Sequence, residues 1–141
     1  MPALTLAQAN AIIDAALAAS AAAGYAPMGV VVLDESGAVR SAQRQDGASM
    51  FRIDVATGKA WGAVGMGVAS RVLAQRAADN PNFFVSLSAT ARGRFLPQPG
   101  AVVIKDADGA VIGAVGASGG TGDEDEAICI AGVTAVGLQH G

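Results

Sequence analysis

Between Ala101 and Glu126 the chain reads AVVIKDADGAVIGAVGASGGTGDEDE, a string that few folds can accept. Val102, Val103 and Ile104 form a short apolar run, Asp106-Ala107-Asp108-Gly109 supplies a turn whose last glycine can take φ > 0, and a second apolar run follows at once. This is a β-hairpin. In its return arm, Val111 to Ala117, small residues alternate with larger ones, the pattern of a strand against which another backbone packs closely. Ser118-Gly119-Gly120-Thr121-Gly122 then makes a tight loop, and four acids, Asp123 to Glu126, stand where a helix begins. Negative charge there complements the helix dipole and its unpaired N–H groups. The hairpin therefore hands the chain directly to a terminal helix, expected from Asp123 to about Leu138.

The preceding segments are read in the same terms. Thr5-Leu6-Ala7-Gln8 has the form of a capping box and predicts a helix to about Ala23, with Ile13 and Leu17 in its apolar stripe and Gly24 closing it. Val30 to Leu33 is too continuously apolar for a strand with one wet face, which places it inside a sheet covered on both sides. Asp34-Glu35-Ser36-Gly37 turns the chain, and Val39 to Gln45 is its partner nearer the edge. A second helix, capped by Asp46 or Ser49, is expected from Phe51 to about Gly62 and should end or kink in the glycine-rich stretch from Trp61 to Val68. An interior glycine such as Gly58 costs about 1 kcal/mol against alanine, so it implies the close approach of another backbone or a ligand. Ser70 is expected to cap a short helix through Ala77 or Ala78, Asn80-Pro81-Asn82 to break it, and Phe83 to Ala91 to be helical again. Strand hairpins joined by helices, without a strand-helix-strand repeat, predict an antiparallel sheet and an α+β class. At 141 residues, with no internal repeat, the chain is expected to be one domain over residues 1–141.

Three stretches together resemble the GlcG/HbpS-like family, whose domains also occur at the C-terminus of PduO-type cobalamin adenosyltransferases. They are VVVLDESGAVRSAQRQDGAS, IDVATGKAWGA with its Lys59-Ala60 pair, and GAVIGAVGASGGTGDEDEAI, in the family's order over nearly the whole chain. The resemblance implies a profilin-like three-layer α/β/α arrangement around a five-stranded antiparallel sheet. It also implies assembly into homo-oligomers, dimers or larger, and haem as a ligand. One departure is visible: where a Gly-Gly-x-Pro turn commonly precedes the late strand, this chain has Pro99-Gly100-Ala101-Val102.

Composition narrows the functional classes. With 52% apolar but only 4% aromatic residues and 19 glycines, the core must be built from closely packed Ala, Val, Ile and Leu. A lone cysteine, Cys129, excludes an internal disulfide and a cysteine-rich metal site. Neither a signal peptide nor a membrane anchor is recognised, and the apolar stretches are interrupted short of a span, so a cytoplasmic protein is expected. The net charge of −3 conceals an asymmetry: all nine basic residues lie between positions 40 and 105, where only Asp46, Asp54 and Asp79 oppose them, leaving +6 there and −9 elsewhere. Either these are solvated faces, with basic and acidic surfaces meeting between subunits, or the basic section holds an anionic small molecule such as a carboxylate. The scattered bases and scarce aromatics argue against nucleic acid.

Few residues carry obvious chemistry. His140, the single histidine, sits at the chain end, where fraying or easing a helix dipole is expected of it; no zinc set, Walker pattern or dinucleotide glycine pattern is present. Lys59, in a glycine-containing helix beside Ala56, Ala60 and Trp61, is expected to be partly buried and to require a carboxylate, with Asp125 and Glu126 as candidates. Contact with a ligand carboxylate or Schiff-base chemistry is the alternative. Arg44, Asp46 and Ser49 lie where a strand passes into a helix, and Arg52, one helical turn after Ser49, is placed to join Arg44 in clamping a carboxylate. Met28, Phe51 and Trp61, with Met50 and Met66, offer adaptable apolar walls. Haem would require an axial donor, for which the chain offers Tyr25, Met28, Met50, Met66 and Cys129.

Three functions remain open. One is an oligomeric protein that binds haem, a related tetrapyrrole or a small carboxylate, through Arg44, Arg52, Lys59, Asp125 and Glu126 against Met28, Phe51 and Trp61. Another is a catabolic isomerase, lyase or hydrolase acting on a small organic acid, with Lys59, Asp46 and Glu126 as acid/base groups. The third is a structural oligomer without chemistry, stitched together by these charges.

Overall fold

A computed structural model describes residues 3–141. In chain order its elements are α1 (Leu6–Ala23), β1 (Gly29–Asp34), β2 (Val39–Arg44), α2 (Phe51–Met66), α3 (Ser70–Asp79), α4 (Pro81–Thr90), β3 (Ala101–Lys105), β4 (Val111–Ser118), α5 (Gly122–Ala135) and β5 (Gln139–His140). The five strands pair antiparallel in the order β2-β1-β4-β3-β5. This is the expected profilin-like α+β arrangement.

The two-residue period of a strand sends alternate side chains to opposite faces, and both faces of this sheet are covered. Val30, Val32, Val115 and Ala117 pack with Ile12, Ile13 and Ile128 of α1 and α5. Val31, Leu33, Val103 and Ala114 pack instead with Ala56, Ala60 and Ala63 of α2. Small residues let α2 lie almost on the sheet backbone: a Cβ at Gly116 would sit 2.4 Å from the Ala56 carbonyl oxygen. That contact accounts for the alternation of small and large residues in β4.

The cap of the first helix and the two hairpin turns landed where they were read. Thr5 and Gln8 form the complete capping box of α1, and Gly24 closes the helix at φ 71°. The two hairpins turn by one shared device. Asp34 Oδ1 accepts from the N–H groups of Ser36 and Ala38, and Asp106 Oδ1 from those of Asp108 and Ala110. By length and a mean hydropathy of 1.3, α1 is apolar enough to cross a bilayer, contrary to the expectation from interrupted apolar stretches; in the fold its buried stripe, including Ile12 and Ile13, packs into the core beneath α5.

Five boundaries differ from the sequence reading. Helix α2 runs on through Gly62 and Gly65 to Met66, because a third layer covers it: a Cβ at Gly58 would meet Leu96 at 2.9 Å, and one at Gly62 would meet the Phe95 ring at 2.9 Å. Its N-cap residue is Met50, without a side-chain cap; the Ser49 hydroxyl accepts from the Phe51 N–H at 3.2 Å. Ser70 is not a cap but the first residue of α3, and its buried hydroxyl accepts from the Ala101 N–H at 2.9 Å, tying α3 to β3. Asn80-Pro81 ends α3 and immediately starts α4, with Pro81 in the first turn, where its missing N–H is harmless. Finally, α5 stops at Ala135, Gly137 turns at φ 77°, and His140 pairs with Ile104 as an edge strand instead of ending a helix.

Candidate functional site

One end of the sheet gathers most of the chemistry-bearing side chains. Gly29 at the start of β1 lies opposite Ser118 at the end of β4 and opposite Arg44 at the end of β2. Around this end run the loops holding Tyr25 to Met28, Gln45 to Met50 and Gly119 to Thr121. Two clefts flank it, one on each face of the sheet.

The cleft on the α1 face has a volume of about 560 Å³ and is lined by Leu17, Ala21, Tyr25, Pro27, Arg44 and Asp46, among others. Tyr25 is partly buried. One nitrogen of Arg44, Nη1, donates to the Ala48 carbonyl at 2.6 Å, which steadies the guanidinium while leaving its other N–H groups available. The backbone beneath is held by Gln45, whose side-chain oxygen accepts from the Met28 N–H at 2.8 Å.

The cleft on the α2 face measures about 430 Å³ and is lined by Arg52, Val55, Lys59, Leu96, Pro99 and the turn from Ser118 into α5. Its floor is an ion pair. Lys59 Nζ donates to Asp125 Oδ2 and to the Ala117 carbonyl, each at 3.0 Å, and Asp125 Oδ1 accepts from the Gly120 N–H at 2.9 Å. With side chains only 7% and 3% exposed, the pair joins α2, β4 and α5. Above it, Arg52 Nη1 donates to the Ser118 hydroxyl at 3.1 Å.

These positions decide between several alternatives. Asp125, not Glu126, is the partner of Lys59. Glu126 and Asp123 both bind Arg71, whose guanidinium is held more firmly protonated by these two carboxylates. Arg71 was missed in the sequence, where only the charge asymmetry hinted that a basic residue would meet the acidic helix start. The proposed clamp of Arg44 with Arg52 does not form, because the loop between them crosses the sheet end and leaves the two on opposite faces. Nor does the acid/base trio assemble: Asp46 lines the α1-face cleft, Lys59 the other, and Glu126 is engaged by Arg71.

The apolar walls disperse in the same way. Met28 is wholly buried in the core beneath α1 and α5, whereas Met50 and Phe51 are 72% and 57% exposed and line neither cleft. Trp61 carries the Arg94 guanidinium 4.5 Å above its ring and lines a smaller cleft with Met66. Cys129 is sealed inside, where burial, with Asp125 adding repulsion, pushes the thiol pKa well above its ordinary value; its Sγ donates weakly to the Gly100 carbonyl.

Residues 4–134 match the family described as haem degrading protein, HbpS-like. The chain belongs to the HbpS-like family. A solved double mutant of HbpS from Streptomyces reticuli is 29% identical, with a TM-score of 0.84 over 96% of this chain and 88% of that one. PduOC, solved as a haem complex, superposes with a TM-score of 0.87 at 24% identity over 98% of both chains. Klebsiella pneumoniae protein ORFY gives 0.85 at 24% identity over 94% of this chain and 90% of that one. These last two likenesses establish the fold alone. No curated protein matches the chain.

Family membership raises the question of whether the residues at the sheet end fit a haem. Of the five axial donors in the sequence, Met28 and Cys129 are enclosed, Met50 lies outside both clefts and Met66 belongs to the Trp61 cleft. Tyr25 alone lines one of the two clefts, and it shares that cleft with Arg44, Asp46, two glutamines and three apolar residues. A phenol that can ligate iron, a guanidinium that can pair with a propionate and apolar walls are parts a haem site uses, so the α1-face cleft fits the group.

Proposed function

We propose that this HbpS-like protein binds haem, or a closely related tetrapyrrole, in the cleft between the end of α1 and the end of β2. The reading is carried by the meeting of Tyr25 and Arg44 in one cleft of about 560 Å³ walled by Leu17, Ala21 and Pro27. A tetrapyrrole presents an apolar macrocycle and anionic propionates, and its iron takes an axial donor. The apolar walls would cover part of the macrocycle, Arg44 would pair with a propionate through the N–H groups not used on Ala48, and Tyr25 would offer its phenol oxygen to the iron. Support for the ligand class comes from the family's description and from PduOC, which binds haem in its solved complex. When bound, the iron would supply redox chemistry, while the chain supplies orientation and exclusion of water.

Haem titration followed by visible absorption tests this reading. The expected result is a saturable, shifted Soret band. Tyr25→Phe should weaken binding about tenfold, equivalent to about 1.4 kcal/mol, and alter the spectrum. Met28→Leu should change neither, because that thioether is closed off from both clefts. A spectrum indistinguishable from free haem overturns the proposal. The homo-oligomer implied by the family resemblance is proposed for this chain as well, and sedimentation velocity would count its subunits.

A further inference from the structure

We infer that the cleft on the α2 face is a second site, separate from the tetrapyrrole cleft, which takes a small organic monocarboxylate. Its central feature is an unmatched cation. Among the described residues Arg52 has no carboxylate partner; its side-chain hydrogen bond goes to the neutral hydroxyl of Ser118. Arg52 is partly buried and shares the cleft with the apolar side chains of Val55, Leu96 and Pro99, which offer its remaining N–H groups no side-chain acceptor. A planar carboxylate matches those donors in geometry and in charge.

The acids that follow the glycine loop do not prevent this. Asp125 is paired with Lys59, Asp123 and Glu126 share the single guanidinium of Arg71, and Glu124, which accepts from the Thr121 N–H in its own capping box, does not line the cleft. Of the two cations that line the cleft, Lys59 is paired with Asp125, whereas Arg52 has no carboxylate partner among the described residues. A doubly charged phosphate would exceed that single cation, whereas a monocarboxylate balances it. Lys59 contributes from below. Its ammonium has three N–H groups, of which two are engaged by Asp125 and the Ala117 carbonyl, so one donor remains on a residue that lines the cleft. The apolar walls favour an acid with a short hydrocarbon body, in a volume suited to a small molecule.

The inference does not rest on the haem reading, and NMR titration of the full chain separates the two. The probes are butyrate, its uncharged analogue butyramide, and inorganic phosphate. Butyrate is expected to produce saturable shifts at the Gly120 and Thr121 amides and the Arg52 side chain, with no effect from butyramide and a far weaker one from phosphate. Arg52→Gln should weaken butyrate at least tenfold, and Arg52→Lys, which keeps the charge but loses the fork, should fall between. Gln98→Glu, an isosteric change at an exposed position on the cleft, should also weaken it without touching the fold. Tyr25→Phe should leave butyrate binding unchanged. Absence of saturable shifts below about 10 mM butyrate overturns the inference. So does undiminished binding by Arg52→Gln, and so does displacement of bound haem by butyrate, which would make the two clefts one site.

Discussion

The two clefts share one end of one sheet, yet they are built on different foundations. The α2-face cleft stands on a buried ion pair that joins three elements, so its floor belongs to the structure of the protein. The α1-face cleft is assembled from a helix end and an edge strand, and of its charged and phenolic side chains Arg44 is held by a hydrogen bond to the adjoining loop. Their difference separates residues that hold the fold from residues that are free to meet a ligand. Substitution in the first cleft's floor should cost stability, and substitution in the second should cost binding.

The largest expected effect tests the floor. Lys59→Met leaves Asp125 charged and enclosed, and should destabilise the protein by about 3–5 kcal/mol in urea denaturation. The double substitution with Asp125→Leu should recover much of that loss, because it removes both charges. If Lys59→Met alone costs under about 1 kcal/mol, the distinction between the clefts fails, since a removable lysine is not structural. Next in size is Ser70→Ala, which strands the buried Ala101 N–H and should cost about 1–3 kcal/mol in the same assay. In the other cleft, Tyr25→Phe should change stability by no more than about 0.5 kcal/mol while haem binding falls. A stability loss as large as that of Ser70→Ala would instead make Tyr25 a core residue.

The smallest effect concerns pH and lies away from both clefts. The Ser36 hydroxyl, with backbone N–H groups of Ser36 and Ala38 adding to it, holds the Asp34 carboxyl below its ordinary pKa in the folded state. A depressed folded pKa means that the contribution is complete above the unfolded value of about 3.9 and disappears as pH falls through the folded one. Relative to Asp34→Asn, the wild-type chain should therefore hold a constant small advantage at neutral pH and lose it only in acid. An advantage that grows on acidification would contradict the hydrogen bonding of this turn.

Much of the fold was legible in the residues because its signals are local. A capping box, a turn glycine or an Asp that accepts from the next few N–H groups acts within about four residues, so Thr5-Gln8, Gly24 and both hairpin turns could be read directly. The course of α2 could not. Its glycines would weaken an isolated helix, and only the segment carrying Phe95 and Leu96, packed against Gly58 and Gly62, turns them into an advantage. The site was legible only in part for the same reason. Lys59 in an apolar helix had to find a carboxylate, but whether Asp125 or Glu126 faced it depended on how α5 lies against α2.

By itself, then, the sequence determined the α+β class, the hairpin that leads into α5, and the need to pair a lysine with an acid, since each follows from short-range periodicity or from the cost of burying charge. The tertiary structure alone decided that Arg44 and Arg52 serve opposite faces, that Arg71 engages Asp123 and Glu126, and that Tyr25 instead of Met28 lines a cleft. Those outcomes depend on which face of the sheet each segment reaches after its loop crosses the end, and contacts between residues far apart in the chain set that path.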